Sequence, residues 1–205
     1  MTILDVFADV GCPFAHAGIR AILTWRADCG RDDLRLRVRA WPLELVNGQP
    51  LDPAVVAHEV GELRAQLGQP LFGGFDPRRY PASTLPAMAL VAAAYRRDLE
   101  TGERVSLALR HAVFEEGRDV ADALVLQAIA AAHGVGAVTG TDSTAVQHDW
   151  ADGRRLGVKG SPHLFCGGAD AFCPSLDIHK DDGGGLHVRA DPAALDAFLS
   201  GCVGQ

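Results

Sequence analysis

The chain has little positive charge and no long apolar run. Its 205 residues carry 19 Lys and Arg against 26 Asp and Glu, a formal net charge of −7 at pH 7. A surface without a basic excess is poorly suited to neutralising phosphates, so neither nucleic acid nor an anionic membrane is expected as a partner. No stretch approaches the roughly 20 apolar residues of a membrane span. The opening residues, Met1-Thr2-Ile3-Leu4-Asp5, lack the basic segment and apolar core of a signal peptide, so a cytoplasmic protein is expected. Internal repeats and low-complexity linkers are also missing. What remains is globular: 48% of residues are hydrophobic and 22% charged, far from the disordered regime. A chain of this length can bury a core of its own. It has five cysteines, Cys12, Cys29, Cys166, Cys173 and Cys202. An odd number in a reducing compartment excludes a disulfide scaffold and raises the question of which thiol does chemistry.

Residues 2–9 form a short apolar run that reads as a strand. Cys12-Pro13 then opens a helix, with proline at the position where its missing N–H is harmless. Ile19, Ile22 and Leu23 give that helix an apolar stripe. Residues 34–41, Leu-Arg-Leu-Arg-Val-Arg-Ala-Trp, alternate strictly, which suits an edge or half-exposed strand. A helical crossover between two strands implies that they run parallel. From Pro53 to Leu156 the pattern is almost purely helical. A Gly/Pro-rich loop is expected at 68–81, and a helical segment at 119–133 is apolar nearly all round and expected to be buried. Strand signals return at 162–166. A Gly-rich loop at 181–185 and a closing helix after Asp191-Pro192 follow. Residues 169–172 and 186–189 both compete for the fourth strand. The order is β-α-β, helical insert, β-β-α, with a core of residues 1–52 and 157–205 and an insert of 53–156.

Cys12 at a helix N-terminus faces unpaired N–H groups and the positive end of the helix dipole, which favour thiolate. Gly157-Val158-Lys159-Gly160-Ser161-Pro162 runs directly into a strand, a setting in which proline can be cis. His16, four residues after Cys12, shares its helix face. It either serves the thiol as imidazolium or base, or it faces the helical region.

These features resemble the DsbA-like branch of the thioredoxin fold, which includes FrnE-type oxidoreductases, 2-hydroxychromene-2-carboxylate isomerases and kappa-class glutathione transferases. The resemblance is carried by Asp9-Val10-Gly11-Cys12-Pro13-Phe14-Ala15 and by residues 157–162. It extends to Pro42-Leu43-Glu44-Leu45 with Pro50-Leu51, and to residues 83–94. It implies an α/β fold, a thioredoxin-like core with an all-helical domain inserted, and a thiol–disulfide oxidoreductase. Cys12 would be the nucleophile and Pro162 the cis-proline. Ser161, Pro13, Phe14 and His16 would line the substrate site, in a cleft between core and insert near Cys12. The residue before the cis-proline would pair with an extended substrate like an added strand.

One departure matters. Ala15 stands where the branch carries a second cysteine, so no dithiol cycle within that motif is possible. The resemblance leaves three activities open: redox chemistry of Cys12 on a protein or small thiol, resolved by an external thiol such as glutathione or by a remote cysteine of the chain; a glutathione-dependent transferase or isomerase; and a binding protein without catalysis. No cofactor is required.

His163, Cys166, Cys173 and His179 form a second constellation. Two thiols and two imidazoles suit zinc, but six residues between the cysteines is wide, and no metal is expected. A secondary redox pair of Cys166 and Cys173 is the functional alternative to two ordinary small residues. Strand alternation puts Cys166 on the face of Pro162, near Cys12. Arg35, Arg37 and Arg39 are read as a solvated strand face.

Overall fold

The computed structural model describes residues 1–68, 70–181 and 183–204. Gln69 and Asp182, inside the loops expected at 68–81 and 181–185, lie outside the described residues. The chain begins with β1 (Thr2–Ala8), α1 (Pro13–Asp28) and β2 (Leu34–Ala40). β1 and β2 pair in parallel from Thr2 opposite Leu34 to Ala8 opposite Ala40, as a helical crossover requires. A helical series follows: α2 (Leu43–Asn47), α3 (Pro53–Leu67), a 3₁₀ turn at Pro77–Arg79, α4 (Leu85–Arg97), α5 (Leu99–Phe114), α6 (Ala123–Ala132) and α7 (Gly140–Leu156). The chain closes with β3 (His163–Cys166), β4 (Ala169–Phe172), β5 (Leu176–Lys180), β6 (Leu186–Ala190) and α8 (Pro192–Val203).

The main sheet has the order β2-β1-β3-β4, with β3 antiparallel to β1 and β4 antiparallel to β3. This is a mixed thioredoxin-like sheet with a helical insertion. Leu4, Val6, Leu34, Leu36, Leu164 and the apolar stripes of α1 and α8 form one buried cluster. A second cluster joins α3, α4, α5 and their neighbours.

Of the two candidates for the fourth strand, residues 169–172 take the place. Residues 186–189 instead pair with β5 in a separate two-stranded ribbon. Leu186 and Val188 pack with Val56, Val60 and Leu63 of α3. Gln66 of α3 clamps the ribbon by accepting from Val188 N at 2.7 Å and donating to Leu186 O at 2.9 Å. The ribbon therefore sits on the helical layer, although its sequence lies in the segment read as core. The expected burial of residues 119–133 is also corrected. In α6 only Ile129 is buried, and Leu124 is 72% exposed. Five of its ten residues are alanine, which makes a helix apolar without demanding burial.

The helical layer protects the sheet edge. The alternating N–H groups of β2 that have no neighbouring strand are all met: Leu34 N by the Arg31 carbonyl, and the next three by side chains. Leu36 N donates to Glu103 Oε2 at 2.8 Å, Val38 N to Tyr95 Oη at 2.8 Å and Ala40 N to Asp149 Oδ2 at 3.0 Å. An open row of strand donors is a template for aggregation, and these three acceptors from α4, α5 and α7 close it. The arginines of β2 are not simply solvated. Arg37 pairs with Asp5, and Arg39 pairs with Asp149 and Asp152 while lying over the Phe7 ring.

Candidate active site around Cys12

Cys12 is the N-cap of α1, with extended backbone angles. Its Sγ donates to the carbonyl oxygen of Ser161 at 3.1 Å. The Ser161–Pro162 peptide bond is cis. Ser161 Oγ accepts from Asp9 N at 2.9 Å, so the two loops are tied in both directions. Gly18 lets α1 approach the proline: a Cβ there would lie 3.3 Å from Pro162 Cγ. Pro13 is buried in the first turn, and Phe14 is half-buried between the two apolar clusters.

The turn before Cys12 is organised by residues that sequence reasoning did not single out. The Asp9 carboxylate accepts from Gly11 N at 2.8 Å and Leu43 N at 2.7 Å. Burial raises the Asp9 pKa, and these N–H groups, Thr84 and Arg110 oppose that rise. Tyr80 Oη donates to Gly11 O at 2.8 Å. Asp9 was in view as part of the motif. Tyr80 and Arg110 carry no local signal, because their partners are 69 and 101 residues away.

Sequence position argued for a thiolate at Cys12, and the structure reverses that expectation. Cys12 is only 3% exposed. Burial is the largest effect and pushes its thiol up to about 11. The Ser161 and Ala15 hydrogen bonds act downward, and the charges of Asp9 and Glu59 act upward. Desolvation of the anion outweighs the helix N-terminus here.

His16 faces the helical layer. Its ring lies between Phe72 and Phe114, and Nε2 donates to Glu115 Oε1 at 2.8 Å. Burial draws its pKa down to about 4, against the opposing pull of Glu115. Burial works against the Glu115 carboxylate too, but the Phe72 N–H, His16 and the Gly73 N–H hold its pKa below the usual value.

All five cysteines are free thiols. The β3–β4 hairpin separates Cys166 from Cys173. Cys166 lies at the turn end, opposite Ala169, and Cys173 follows Phe172 at the other end. The offset of four strand positions is about 13 Å, beyond the roughly 7 Å Cα limit for a disulfide. Alternation does put Cys166 on the α1/α8 face of the sheet, but four residues down β3 from Pro162, about 13 Å away. It meets Cys202 of α8 instead. Burial and the hydrogen bond to Cys166 push the Cys202 thiol up to about 12. The spacing of Leu195 and Leu199 marked a buried face of α8, and Cys202 shares it, but nothing in the sequence named Cys166 as its partner. Cys173 arrives beside the proline: its N–H donates to Pro162 O at 3.0 Å. Burial pushes its thiol up to about 12, and negative charge on Cys12 adds to the rise.

His163 and His179 are drawn apart as well. The His163 ring accepts from Lys159 N and donates to Asp170, whereas His179 stacks on His187. Among the described residues no group of three or more His, Cys, Asp or Glu is placed to hold a metal. A cavity of about 200 Å³ lies between β2, α4 and α7, lined by Val10, Val38, Met88, Val91, Tyr95 and Asp149 among others. A second, of about 210 Å³, lies between α1 and α5, with His16, Arg20, Leu107, Arg110, His111 and Glu115 in its wall. Cys12 lines neither.

The family model of the DSBA-like thioredoxin domain matches residues 3–180. No curated protein matches the sequence. Among solved structures, a candidate protein disulfide isomerase from Nitrosomonas europaea aligns with a TM-score of 0.68 at 17% identity, over 100% of this chain and 98% of that one. The cytosolic disulfide reductase DsbM from Pseudomonas aeruginosa, in a structure with glutathione, aligns at 0.59 and 21% identity, over 99% and 100%. A 2-hydroxychromene-2-carboxylate isomerase aligns at 0.60 and 14% identity, over 83% and 88%. At these identities the likeness is one of fold.

Proposed function

This chain belongs to the DSBA-like thioredoxin domain family, and on that premise we propose that it is a cytoplasmic thiol–disulfide oxidoreductase working through the single thiol of Cys12. The observation that carries this reading is the placement of the Cys12 Sγ at the start of α1, 3.1 Å from the carbonyl oxygen that precedes Pro162. The Cys12 thiolate attacks one sulfur of a substrate disulfide. A mixed disulfide forms, and the other sulfur leaves as a thiolate that takes up a proton. A glutathione thiolate then attacks the substrate sulfur of that mixed disulfide, the substrate leaves as its mixed disulfide with glutathione, and the departing Cys12 thiolate takes up a proton. The glutathione in the DsbM structure supports glutathione as co-substrate. Because Cys12 is buried and protonated, a substrate disulfide has to enter between the α1 turn and the Ser161–Pro162 loop for exchange to begin. Ser161, Pro13 and Phe14 then border the entering disulfide.

The protonated state of Cys12 also favours a second reading. A thiol with a pKa near 11 is a hydrogen-bond donor before it is a nucleophile. In a glutathione-dependent isomerase or transferase it would hold a bound sulfur anion and form no bond to it.

Alkylation resolved in time and mapped to all five cysteines, alongside incubation with oxidised glutathione, separates the two. Redox function gives a disulfide at Cys12, either a glutathione adduct or a bond to another cysteine of the chain. Stoichiometric glutathione binding that survives Cys12→Ser, with no disulfide at Cys12 in the wild type, would replace it by the second reading. Neither binding nor a disulfide at Cys12 would leave a non-catalytic protein on this fold.

A further inference from the structure

We infer that Cys173 is the resolving thiol for Cys12, supplied from the end of β4 in place of the cysteine that the α1 turn lacks at Ala15. The inference rests on the thiol exchange proposed for Cys12 and adds the group that completes it.

The two cysteine residues border one dipeptide. Cys12 donates through Sγ to Ser161 O at 3.1 Å, and Cys173 donates through its backbone N–H to Pro162 O at 3.0 Å. Ser161 and Pro162 thus present successive carbonyls to the two cysteine residues. The hairpin register explains the meeting: β3 leads away from the proline, β4 returns antiparallel with Phe172 opposite His163, and the next residue is level with Pro162. The segment then turns back against α1, where a Cβ on Gly18 would lie 3.1 Å from Ser175 Oγ. Cys173 itself is buried and holds φ at 47°, a left-handed conformation that costs a non-glycine residue energy. Its thiol also senses charge on Cys12. The other three cysteines are accounted for elsewhere. Cys166 and Cys202 are in contact with each other across β3 and α8, and Cys29 is exposed at the far end of α1.

The step balances without a further oxidant. Once Cys12 carries a substrate or glutathione sulfur as a mixed disulfide, the Cys173 thiolate attacks the Cys12 sulfur. A Cys12–Cys173 bond forms, the bond to the outer sulfur breaks, and the released thiolate takes up the proton that Cys173 lost. The substrate leaves with both its sulfurs as thiols, and the protein holds the two oxidising equivalents. Two molecules of glutathione then restore the thiols and leave as glutathione disulfide.

The test uses the full chain as reduced wild type, Cys173→Ser, Cys173→Ala and Cys166→Ser. Each is incubated with oxidised glutathione, quenched in acid and mapped under non-reducing conditions. The expected result is a Cys12–Cys173 disulfide in the wild type and in Cys166→Ser. In both Cys173 variants, glutathione accumulates on Cys12 at least tenfold above the wild-type level. Two variants of different polarity guard against misfolding of one, and the wild-type map stands without either. Glutathione retained on Cys12 equally in wild type and variants overturns Cys173 as resolver while leaving single-thiol exchange intact. A bond from Cys12 to Cys166 or Cys202 overturns it too. No glutathione on Cys12 in any of the four, with no Cys12–Cys173 bond in the wild type, overturns both the inference and the reading beneath it.

Discussion

Arg110 Nη1 donates to the carbonyl oxygen of Asp9 at 2.7 Å, and the same oxygen accepts the Cys12 N–H at 3.3 Å. The guanidinium is fully buried, and its Nε and Nη2 have no hydrogen-bond partner. Burial lowers its pKa to about 10, while charge on Cys12 and Asp9 acts to restore it. At neutral pH it remains a cation. At neutral pH a positive charge therefore lies directly behind the turn that holds the thiol. Replacing it with the uncharged side chain of Arg110→Met should raise the Cys12 pKa by about one unit, a tenfold loss of thiolate at fixed pH. Arg110→Lys should retain most of the effect. The pH dependence of Cys12 alkylation measures this. Identical profiles for wild type and Arg110→Met would show that Arg110 merely fills space.

Gly11 and Tyr80 make a second close approach. A Cβ at Gly11 would lie 2.3 Å from Tyr80 Oη. Gly11→Ala should therefore destabilise the protein by about 1–3 kcal/mol through overpacking. Tyr80→Phe should cost about 1 kcal/mol through loss of its bond to Gly11 O. The double variant should be less damaged than the sum, because removing the hydroxyl removes the clash. Urea denaturation of the four proteins gives the coupling, and strict additivity would contradict this geometry.

Tyr95 joins the helical layer to the sheet edge. Its Oη accepts from Val38 N at 2.8 Å and donates to Leu36 O at 3.0 Å. Tyr95→Phe leaves both backbone groups of β2 unpaired beneath a helix, at a cost of about 1–3 kcal/mol. A shift in the urea midpoint with an unchanged slope is the expected result. An unshifted midpoint would mean that water replaces the hydroxyl.

His16 gives stability a pH dependence. Its folded pKa is about 4, and its unfolded value is about 6.5. Between those values the unfolded chain binds the extra proton, so the stability that the neutral ring contributes is full above pH 6.5. It is lost as pH falls toward 4. Between pH 7 and pH 5 the loss should be about 2 kcal/mol. The depressed Glu115 pKa adds a further loss only below the ordinary carboxylate range. His16→Phe should flatten the dependence between pH 7 and 5. A slope as steep as the wild type's would assign it to other groups.

Much of the architecture was legible because it is local. The alternation of residues 34–40 marked β2 and its buried face, and Cys12-Pro13 marked the start of α1. Residues 169–172 and 186–189 could not be ranked from their sequence, since both are short apolar segments near turns. Only the surface offered by α3 drew Leu186 and Val188 away from the sheet. The apolar pattern of α6 misled for a related reason, because alanine tolerates either side of a helix.

The sequence by itself determined the α/β order, the helical insertion, Cys12 at a helix start facing a Ser161–Pro162 loop, and the lack of a second cysteine at Ala15. The first two follow from neighbours a few residues apart, whereas the facing of Cys12 and a loop 149 residues away and the missing cysteine at Ala15 were legible only through the resemblance to the DsbA-like branch. Only the tertiary structure decided the state and company of the thiols. Burial, a property of the packed whole, keeps Cys12 protonated where the helix terminus alone argued for an anion. The return of β4 brings Cys173 to Pro162 and leaves Cys166 to Cys202. The charge behind the turn comes from Arg110, 101 residues from its acceptor, because chain topology rather than spacing sets which side chains meet.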